Sequence, residues 1–472
     1  MSDPFLELLG PAGWRSGASE MQPYARDWLD RWGEVPLGVA LPASTGEVAA
    51  VMRLAARLDL TVTPQGGNTG LNGGSVISSG QRGIILSLAR MNRIHAIDAV
   101  EMTATVDAGL VLQSLHEALA PQGLIFPLHL GAEGSAQIGG LIATNAGGSL
   151  ALRYGMMEAQ VLGLEVVLPD GEVWDGMRAL IKDNTGLQLR KLFCGAEGRL
   201  GVVTRAILRL HPAPATRATA LLAVADLETM LRLGAELRRE VGDQLTAMEF
   251  FCETGLAMLL RHLPDLSRPV DTRGPFYLLV ELATPRAGVD LQALLTDLLE
   301  AAFEQGEVLD GTVAASDAQR AALWRLREEM PEGQRREGPQ IKHDVAVPVS
   351  RLAEFVDGVE ERLPPILPGV RINPFGHLGD GNVHLNLSPP VGSDFAGREA
   401  ALSDAVYDLA AELGGSFSAE HGLGQAKVAL ADRLRGATER RLMAALIAAV
   451  DPEGRMNPGK IVRPARSAAD IA

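Results

Sequence analysis

The amino-acid sequence predicts an α+β protein with two domains, and three observations lead to this prediction. The chain has 472 residues, which is enough for two hydrophobic cores. Short β-branched runs alternate with helical patterns along most of its length. The rhythm of these elements changes near residue 215, after His211-Pro212-Ala213-Pro214, a run that is typical of a linker. Strands that alternate with helices favour sheets with helices packed on them.

The first domain is predicted over residues 1–214, with residues 1–35 as an N-terminal extension. Ser44 and Glu47 form a capping-box pattern ahead of apolar residues at helical spacing from Val48 to Leu58. The other predicted elements are strands near 61–63, 84–88, 103–106, 164–168 and 202–210, and a helix near 110–119. The glycine-dense stretch 131–155 is predicted to form loops.

The second domain is predicted over residues 215–450. Its predicted strands lie near 221–224, 247–251, 276–282, 308–313 and 344–347, and its predicted helices near 227–241, 291–303 and 317–329. Residues 451–472 are predicted to return to the first domain, because Asn457-Pro458-Gly459-Lys460 is typical of a turn.

The composition excludes several classes of protein. A net charge of −15 argues against nucleic-acid binding, and an aromatic content of 4% leaves few residues on which bases could stack. The sequence contains no apolar run of membrane-spanning length, and the acidic start of the chain is unlike a secretory signal. The two cysteines, Cys194 and Cys252, form no CxxC pair, which excludes disulfide scaffolds and cysteine-ligated metal centres. We therefore expect a cytoplasmic enzyme.

The glycine-rich run Gly66-Gly67-Asn68-Thr69-Gly70-Leu71-Asn72-Gly73 is a candidate phosphate-binding loop. Successive backbone amides can point into one concavity and bind an anion, and the missing Cβ atoms allow a pyrophosphate to approach. The run has neither the Walker nor the Rossmann spelling. Two further glycine clusters, 139–155 and 195–201, favour a long ligand in an extended groove. A mobile surface loop is the alternative.

Histidines and acids in the C-terminal half predict a metal site. His377 and His384 flank a glycine turn, and Glu420 and His421 follow in a second motif. Two imidazoles and a carboxylate suit Zn²⁺, with Mn²⁺ as a second candidate, and leave positions open for a substrate. His421 stays available for proton transfer, because the ordinary pKa of histidine lies near the operating pH. The alternative is a set of histidines that only make structural hydrogen bonds.

Two cationic side chains are candidates for binding an anionic substrate. Arg327 ends a predicted helix and can hold a carboxylate with two parallel hydrogen bonds, and Lys342 can add a point charge. Each residue, taken alone, is also typical of a solvated surface charge.

Taken together, these motifs resemble the D-2-hydroxyglutarate and D-lactate dehydrogenases, which are flavoproteins of the vanillyl-alcohol oxidase or p-cresol methylhydroxylase type. The resemblance covers residues 36–462 in order. The motifs that carry it are Pro64-Gln65-Gly66-Gly67-Asn68-Thr69-Gly70, Pro127-Leu128, Leu130-Gly131-Ala132, Ile138-Gly139-Gly140, Thr144-Asn145-Ala146-Gly147-Gly148, Arg153-Tyr154-Gly155, Lys182-Asp183-Asn184-Thr185-Gly186, Gly195-Ala196-Glu197-Gly198, Gly376-His377-Leu378-Gly379-Asp380-Gly381-Asn382-Val383-His384, Ala419-Glu420-His421-Gly422 and Asn457-Pro458-Gly459-Lys460.

The resemblance implies an FAD-binding domain of two α+β subdomains and a ferredoxin-like cap that carries the substrate and metal residues. It implies FAD contacts from Pro64, Gly66, Gly67, Asn68, Thr69, Gly70, Leu71, Gly74, Ser75, Pro127, Gly131, Ala132, Ser135, Gly139, Gly140, Thr144, Asn145, Gly147, Gly148, Tyr154, Gly155, Glu197, Gly198, Gly201, Val202, Val203 and Asn457. The FAD is expected to be noncovalent, since Asn68 stands where covalent relatives carry histidine.

The resemblance also implies metal ligation by His377, His384 and Glu420, and substrate contacts from Arg327, Lys342, Asn386 and His421. His421 is the expected base, and the substrate hydride is expected to pass to flavin N5. Two departures stand out. Pro331 replaces a threonine, which leaves specificity for a second carboxylate open, and His129 replaces an aspartate.

The expected partners are a small D-2-hydroxy acid and an electron acceptor, either an electron-transfer flavoprotein, a quinone or a cytochrome. D-lactate, D-2-hydroxyglutarate and D-malate remain open as substrates, and a homodimer remains open as the assembly. Two other classes stay as alternatives: an accessory electron-transfer subunit and a metallohydrolase without flavin. Retention of the histidine motifs counts against the first alternative, and a yellow protein would count against the second.

Overall fold

The computed structural model describes residues 3–463, and its internal contacts divide the chain into two compact units. Among the described residues, the first unit comprises 3–148, 155–211 and 420–463, and the second comprises Ser149–Tyr154 and Pro212–Ala419. Residues 464–472, the end of the predicted return segment, lie outside the described residues. None of the described helices is long and apolar enough to cross a membrane.

Strands and helices are numbered in chain order. The strands are β1 (Trp14–Arg15), β2 (Val39–Ala40), β3 (Thr61–Gln65), β4 (Gly83–Ser87), β5 (Ile94–Asp98), β6 (Thr103–Asp107), β7 (Leu124–Ile125), β8 (Val161–Val167), β9 (Val173–Gly176), β10 (Val202–Arg209), β11 (His211–Pro212), β12 (Thr216–Val224), β13 (Leu245–Cys252), β14 (Phe276–Thr284), β15 (Val308–Val313), β16 (Ile341–Ala346), β17 (Arg371–His377) and β18 (Asn382–Ser388). The α-helices are α1 (Pro4–Gly13), α2 (Ala18–Ala25), α3 (Thr45–Arg57), α4 (Leu112–Leu119), α5 (Ile138–Thr144), α6 (Ala151–Tyr154), α7 (Met157–Gln160), α8 (Leu189–Phe193), α9 (Leu227–Val241), α10 (Glu253–His262), α11 (Leu291–Glu304), α12 (Asp317–Glu328), α13 (Met330–Glu337), α14 (Leu352–Arg362), α15 (Glu399–Glu412), α16 (Val428–Leu434) and α17 (Ala437–Val450).

The first unit contains two main sheets, as expected for two α+β subdomains. One has the order β1-β2-β4-β3, with parallel pairing of β2 and β3 to β4. The other is antiparallel, with the order β5-β6-β10-β8-β9. Helix α3 begins as predicted, because the Ser44 hydroxyl accepts a hydrogen bond from the Glu47 amide at 3.2 Å. The helix buries Val48, Val51 and Met52 in the core of this unit.

The prediction that residues 131–155 form only loops is wrong, because helix α5 lies within this stretch. Its first turn contains Gly139, where a Cβ would lie 2.9 Å from the Ala108 side chain. Glycine at this position lets the helix pack closely on the neighbouring backbone, and the amide of Gly139 donates to the Ala108 carbonyl at 2.7 Å. Glycine density therefore reflected close packing as well as loops.

The second unit is built on a seven-stranded antiparallel sheet with the order β15-β12-β14-β13-β17-β18-β16. From residue 216 onward, the elements run β12, α9, β13, α10, β14, α11 and β15 along the chain. In the sheet these four strands have the order β15-β12-β14-β13, which is fourth, first, third and second in chain order. This is the ferredoxin-like arrangement, with α10 added between β13 and β14. The ferredoxin-like cap is therefore confirmed, and β16, β17 and β18 extend its sheet.

The two faces of this sheet have different partners. On one face, Phe250, Val280 and Leu385 pack with residues of α9, α11, α14 and α15. On the other face, Phe251 and Phe375 pack with residues of α10, α12 and α13. Because side chains alternate along a strand, each strand contributes to both faces. The second face also carries the polar residues of the candidate site.

The contacts differ from the predicted domain limits at two places. Residues 149–154 belong to the second unit, where Arg153 donates to the Ala283 carbonyl at 2.9 Å. The return to the first unit begins at Glu420 rather than at residue 451. Within the first unit, the Asn72 side chain donates to the backbone carbonyl of Gly422 at 2.7 Å. A pattern of apolar residues does not predict a side-chain contact to the backbone, so the earlier start of the return segment could not be predicted from hydropathy.

Lys460, in the predicted turn of the return segment, is fully buried within the first unit. Its ammonium group donates to the Val76 carbonyl and the Ser78 hydroxyl, both at 2.7 Å. Burial, with a further contribution from the positive charge of Arg199, lowers the pKa of Lys460 from 10.5 to about 7. The folded state therefore releases this proton at a lower pH than the unfolded state.

The free energy of unfolding is expected to depend on the ionisation of Lys460. Between pH 7 and pH 10 the unfolded chain binds the proton and the folded chain does not, so stability gains at most about 1.4 kcal/mol per pH unit as the pH rises. The Lys460→Met variant should lack this gain. Urea denaturation of both proteins at several pH values measures the difference, and parallel pH profiles would contradict the prediction.

Candidate active site

The candidate-site residues of the second unit share one face of its sheet. In the antiparallel register, Glu249 lies opposite His377, Asp344 opposite His384, and Lys342 opposite Asn386. Directly opposed residues point to the same side of a sheet, and so do residues two apart on one strand. The register therefore collects two imidazoles, two carboxylates, an amide and an ammonium group on one surface.

The hairpin of β17 and β18 brings the two predicted histidine ligands together. The ring centroids of His377 and His384 lie 5.6 Å apart, with their planes nearly perpendicular. The turn between them has the expected chemistry: Gly381 has a positive φ of 77°, and the Asp380 carboxylate accepts a hydrogen bond from the Asn382 amide at 3.0 Å. The turn therefore fixes the spacing of the two imidazoles.

Glu249 supports this pair and was missed in the sequence analysis. Its carboxylate is almost completely buried and lies 2.6 Å from Nδ1 of His377 and 2.8 Å from Nε of Arg327. A carboxylate on Nδ1 orients an imidazole ring and favours Nε2 as the ligand atom. The one signal in the sequence is that Glu249 is the single charged residue of the buried strand β13.

The predicted substrate residues are held in different ways. Arg327 is 8% exposed, forms the ion pair with Glu249 and lies with its guanidinium carbon 5.0 Å from the centre of the Phe375 ring. Asn386 is buried and donates to the Gln334 side-chain carbonyl at 2.5 Å. Lys342 is exposed on the same face. The charge of Arg327 is thus balanced internally, and Lys342 is the more accessible cation.

Pro331 lies in the first turn of α13, where a proline is well tolerated because that amide has no helical partner. One turn later in the same helix, Gln334 is fully buried, and its side-chain NH₂ has no hydrogen-bond acceptor among the described residues. Pro331 lacks the hydroxyl of the threonine that the resemblance implies at this position. The side-chain NH₂ of Gln334 is a hydrogen-bond donor in the same helix.

The glycine loop of the first unit fits an anionic ligand. Within residues 3–463, the backbone amides of Gly66–Gly70 donate to no protein acceptor. A Cβ at Gly70 or at Gly131 would meet no atom within 4 Å. Free amides beside open space are the features that a pyrophosphate needs.

Other glycines of the predicted groove serve packing. A Cβ at Gly67 would lie 1.8 Å from the Ser135 carbonyl oxygen, and one at Gly148 would lie 2.2 Å from the His129 carbonyl oxygen. The side chain of Asn68 is also engaged with protein groups: its NH₂ group donates to the Arg26 carbonyl at 2.8 Å, and its oxygen accepts from Ser75 at 2.6 Å. These residues shape the loop itself.

The two kinds of glycine are expected to respond differently to alanine. Gly67→Ala forces a methyl group onto the Ser135 carbonyl and should lower the free energy of unfolding by about 1–3 kcal/mol. Gly70→Ala, the matched control, should change stability by less than about 0.5 kcal/mol and should reduce the amount of bound FAD. Thermal denaturation and flavin content measure the two effects, and equal loss of stability in both variants would contradict the assignment.

Glu420 and His421 open the return segment and are placed on the first unit. Asn72 donates to the carbonyl oxygen of His421 at 3.0 Å, and the Glu197 carboxylate accepts the amides of Leu423 and Gly424, both at 2.7 Å. A carboxylate oxygen of Glu420 lies 3.1 Å from the position of a Cβ on Gly147. The segment is thus fixed against two of the predicted FAD motifs.

The remaining predicted FAD residues are divided between the units. Tyr154 belongs to the second unit, where it lies beside the Arg153 guanidinium. Asn457 donates to the carbonyls of Gly74 and Glu197, at 2.9 and 2.8 Å. The other members of the predicted set lie in the first unit, namely Pro64, Gly66, Thr69, Leu71, Pro127, Ala132, Gly139, Gly140, Thr144, Asn145, Gly155, Gly198, Gly201, Val202 and Val203.

Comparison with solved structures identifies the class of fold. The chain superimposes on p-cresol methylhydroxylase with a TM-score of 0.75 and 18% sequence identity, over 97% of this chain and 96% of that protein. At this identity the likeness concerns the fold. The protein therefore has the fold of the vanillyl-alcohol oxidase type of flavoprotein, as its motifs predicted.

Sequence comparison then identifies the family. A model described as an FAD binding domain matches residues 36–176, and one described as the C-terminal domain of FAD linked oxidases matches residues 213–461. The chain is 39% identical to the D-2-hydroxyglutarate dehydrogenase of Xanthomonas citri pv. viticola, over 94% of this chain and 93% of that protein. It is 38% identical to the mitochondrial D-2-hydroxyglutarate dehydrogenase of Bos taurus, over 97% of this chain and 82% of that protein. The chain belongs to the FAD-linked oxidase family and is an FAD-dependent oxidoreductase.

Proposed function

We propose that this enzyme oxidises a D-2-hydroxy acid to the 2-oxo acid, with D-2-hydroxyglutarate as the first candidate substrate. The observation that carries the proposal is the single sheet face that presents His377, His384, Asn386 and Lys342, with Arg327 packed on it. The names of the two relatives support the same substrate class.

The charges on this face favour a dicarboxylate. D-2-hydroxyglutarate carries two carboxylates. Lys342 supplies an accessible cation for one of them, and Arg327, whose Nε pairs with Glu249, can donate its other N–H groups to the second. Lys342 lies opposite Asn386 in the register, so one carboxylate can receive an ammonium and an amide hydrogen bond together. The buried donor of Gln334 lies beside Asn386 and replaces the hydroxyl that Pro331 lacks. D-lactate would leave one of these cations unused.

The donor set fits a divalent metal ion. We assign His377, His384 and Glu420 as ligands, and Zn²⁺ or Mn²⁺ suits two imidazoles and a carboxylate. Such an ion would make the 2-hydroxyl group more acidic. Glu249 orients the His377 ring through Nδ1, which favours Nε2 as the ligand atom.

The first unit supplies the cofactor groove and the base. FAD, held noncovalently because position 68 is asparagine, would supply the acceptor of the C2 hydride at flavin N5. His421 takes the proton of the 2-hydroxyl, so that the loss of one hydride and one proton yields the 2-oxo acid. The electron acceptor, the homodimer and the cytoplasmic location remain predictions.

Anaerobic flavin bleaching tests this proposal. The purified protein is mixed with D- and L-2-hydroxyglutarate, D-lactate and D-malate, and the visible absorbance of the flavin is followed. We expect D-2-hydroxyglutarate to bleach the flavin fastest and the L-enantiomer to leave it oxidised. A colourless protein would overturn the FAD assignment and favour a hydrolase. A yellow protein that no D-2-hydroxy acid reduces would favour an accessory subunit.

A further inference from the structure

A second cluster of metal-binding side chains lies in the first unit. Nδ1 of His129 lies 2.7 Å from one carboxylate oxygen of Glu133, and Nδ1 of His116 lies 3.3 Å from the other. The two imidazole centroids are 4.7 Å apart. One ligand atom from each of the three residues can be chosen so that all lie within 4.8 Å of one another. In a tetrahedral zinc site, ligand atoms are separated by about 3.3 Å.

The three side chains are held by ordered backbone. His116 lies in the last turn of α4, a helix anchored in the core by Leu112, Leu115 and Leu119. Glu133 lies in a turn in which its carboxylate accepts the Leu130 amide at 3.2 Å and its carbonyl accepts the Gln113 amide. The helix and the turn are therefore tied together before any ion binds.

The environment of Glu133 differs from that of two other carboxylates paired with histidine, Asp107 and Glu337. Asp107 is paired with one imidazole, that of His95. Glu337 is paired with the His262 imidazole and with two arginines. Within residues 3–463, Glu133 has ion pairs with imidazoles only. Two imidazole nitrogens therefore converge on the two oxygens of one carboxylate.

His116 is held from one side. Its Nε2 atom is buried and has no hydrogen-bond partner in the described part of the chain, so its polar contact is through Nδ1 toward Glu133. A buried imidazole nitrogen without a partner costs stability. Among the described residues, the His116 ring is therefore oriented by its contact with Glu133 through Nδ1, and no hydrogen bond holds its Nε2 atom.

We propose that His116, His129 and Glu133 form a divalent-metal site, suited to Zn²⁺, that is independent of the predicted ligands His377 and His384. Two imidazoles and one carboxylate match the ligand types of zinc and leave a fourth position for water. The ion would join helix α4 to residues 127–135, which carry four of the predicted FAD contacts. Its role is to hold this loop in place.

Zinc binding by the FAD-loaded, full-length enzyme tests the site. A His384→Gln background removes a predicted ligand of the other site, and the protein is freed of metal with a chelator before ZnCl₂ is added. We expect His384→Gln to bind one equivalent of Zn²⁺ and to gain thermal stability from it. Adding His129→Gln should weaken this binding at least 100-fold and abolish the gain; His129 is half-exposed, so this variant should fold.

A matched control uses another imidazole–carboxylate pair of the same unit, His95 and Asp107. His384→Gln with His95→Gln should bind zinc like the His384→Gln parent, because Asp107 has only one imidazole partner. The proposal is overturned if the His384→Gln protein binds no zinc, if the His129→Gln change leaves binding intact, or if the His95→Gln change weakens it equally.

Discussion

Replacing His421 by alanine is expected to abolish reduction of the flavin by D-2-hydroxyglutarate while the protein stays yellow. General-base catalysis contributes about 10²- to 10⁴-fold to rate, and we expect a loss in this range. FAD should stay bound, because Asn72 holds position 421 through its backbone carbonyl, which alanine keeps. Anaerobic stopped-flow absorbance measures the rate of flavin reduction, and the released flavin gives the FAD content.

His95→Ala is the control for His421→Ala. His95 lies in the same unit, its imidazole is 2.6 Å from the Asp107 carboxylate, and it is not among the proposed FAD or substrate contacts. This variant should be reduced at the wild-type rate. Flavin reduction at the normal rate in the His421→Ala variant would refute the role of His421 as the base.

Replacing His384 by glutamine is expected to remove the metal ion proposed at His377, His384 and Glu420 and to stop turnover, while the separate site at His116, His129 and Glu133 keeps its zinc. Loss of a residue that only supports a metal ligand costs about 10–100-fold in affinity, so loss of a proposed ligand should cost more. His384 also lies beside the His377 ring on the polar face. Metal content after dialysis and the rate of D-2-hydroxyglutarate oxidation are the measurements.

His343→Gln is the matched control for His384→Gln. His343 lies on the neighbouring strand β16, but its ring is directed to the opposite side of the sheet, where it contacts the Leu385 carbonyl at 2.9 Å and the Ser403 hydroxyl at 3.1 Å. This variant should lose stability and keep metal and turnover. A His384→Gln enzyme that kept the wild-type metal content and the wild-type activity would exclude this ion from the mechanism.

Local signals in the sequence predicted much of the fold. The capping residue Ser44 and the apolar spacing after it located α3, and the helix predicted over 227–241 coincides with α9. These elements follow from interactions between residues that are close in the chain. Helix α5 was missed because its glycines were interpreted as breakers, whereas contact with Ala108 requires them.

The supporting residues of the candidate site were harder to predict. His377 and His384 are close in sequence, and one turn brings them together. Glu249 is far from them along the chain and reaches His377 only through the pairing of β13 with β17. Pairings between distant strands depend on the whole sheet and leave little trace in one sequence. Residues such as Glu249 can therefore be assigned to the site only from the structure.

The return segment also has a consequence for how the protein is synthesised. In the first unit, the Val62 amide donates to the Arg455 carbonyl, and the Asn457 amide donates to the Val62 carbonyl. These bonds join β3 to residues that lie almost 400 positions further along the chain and are therefore synthesised much later. A growing chain on the ribosome cannot make these bonds until residue 457 has emerged. The N-terminal unit therefore completes its fold last, and a nascent chain stopped after residue 419 would leave it open to proteases.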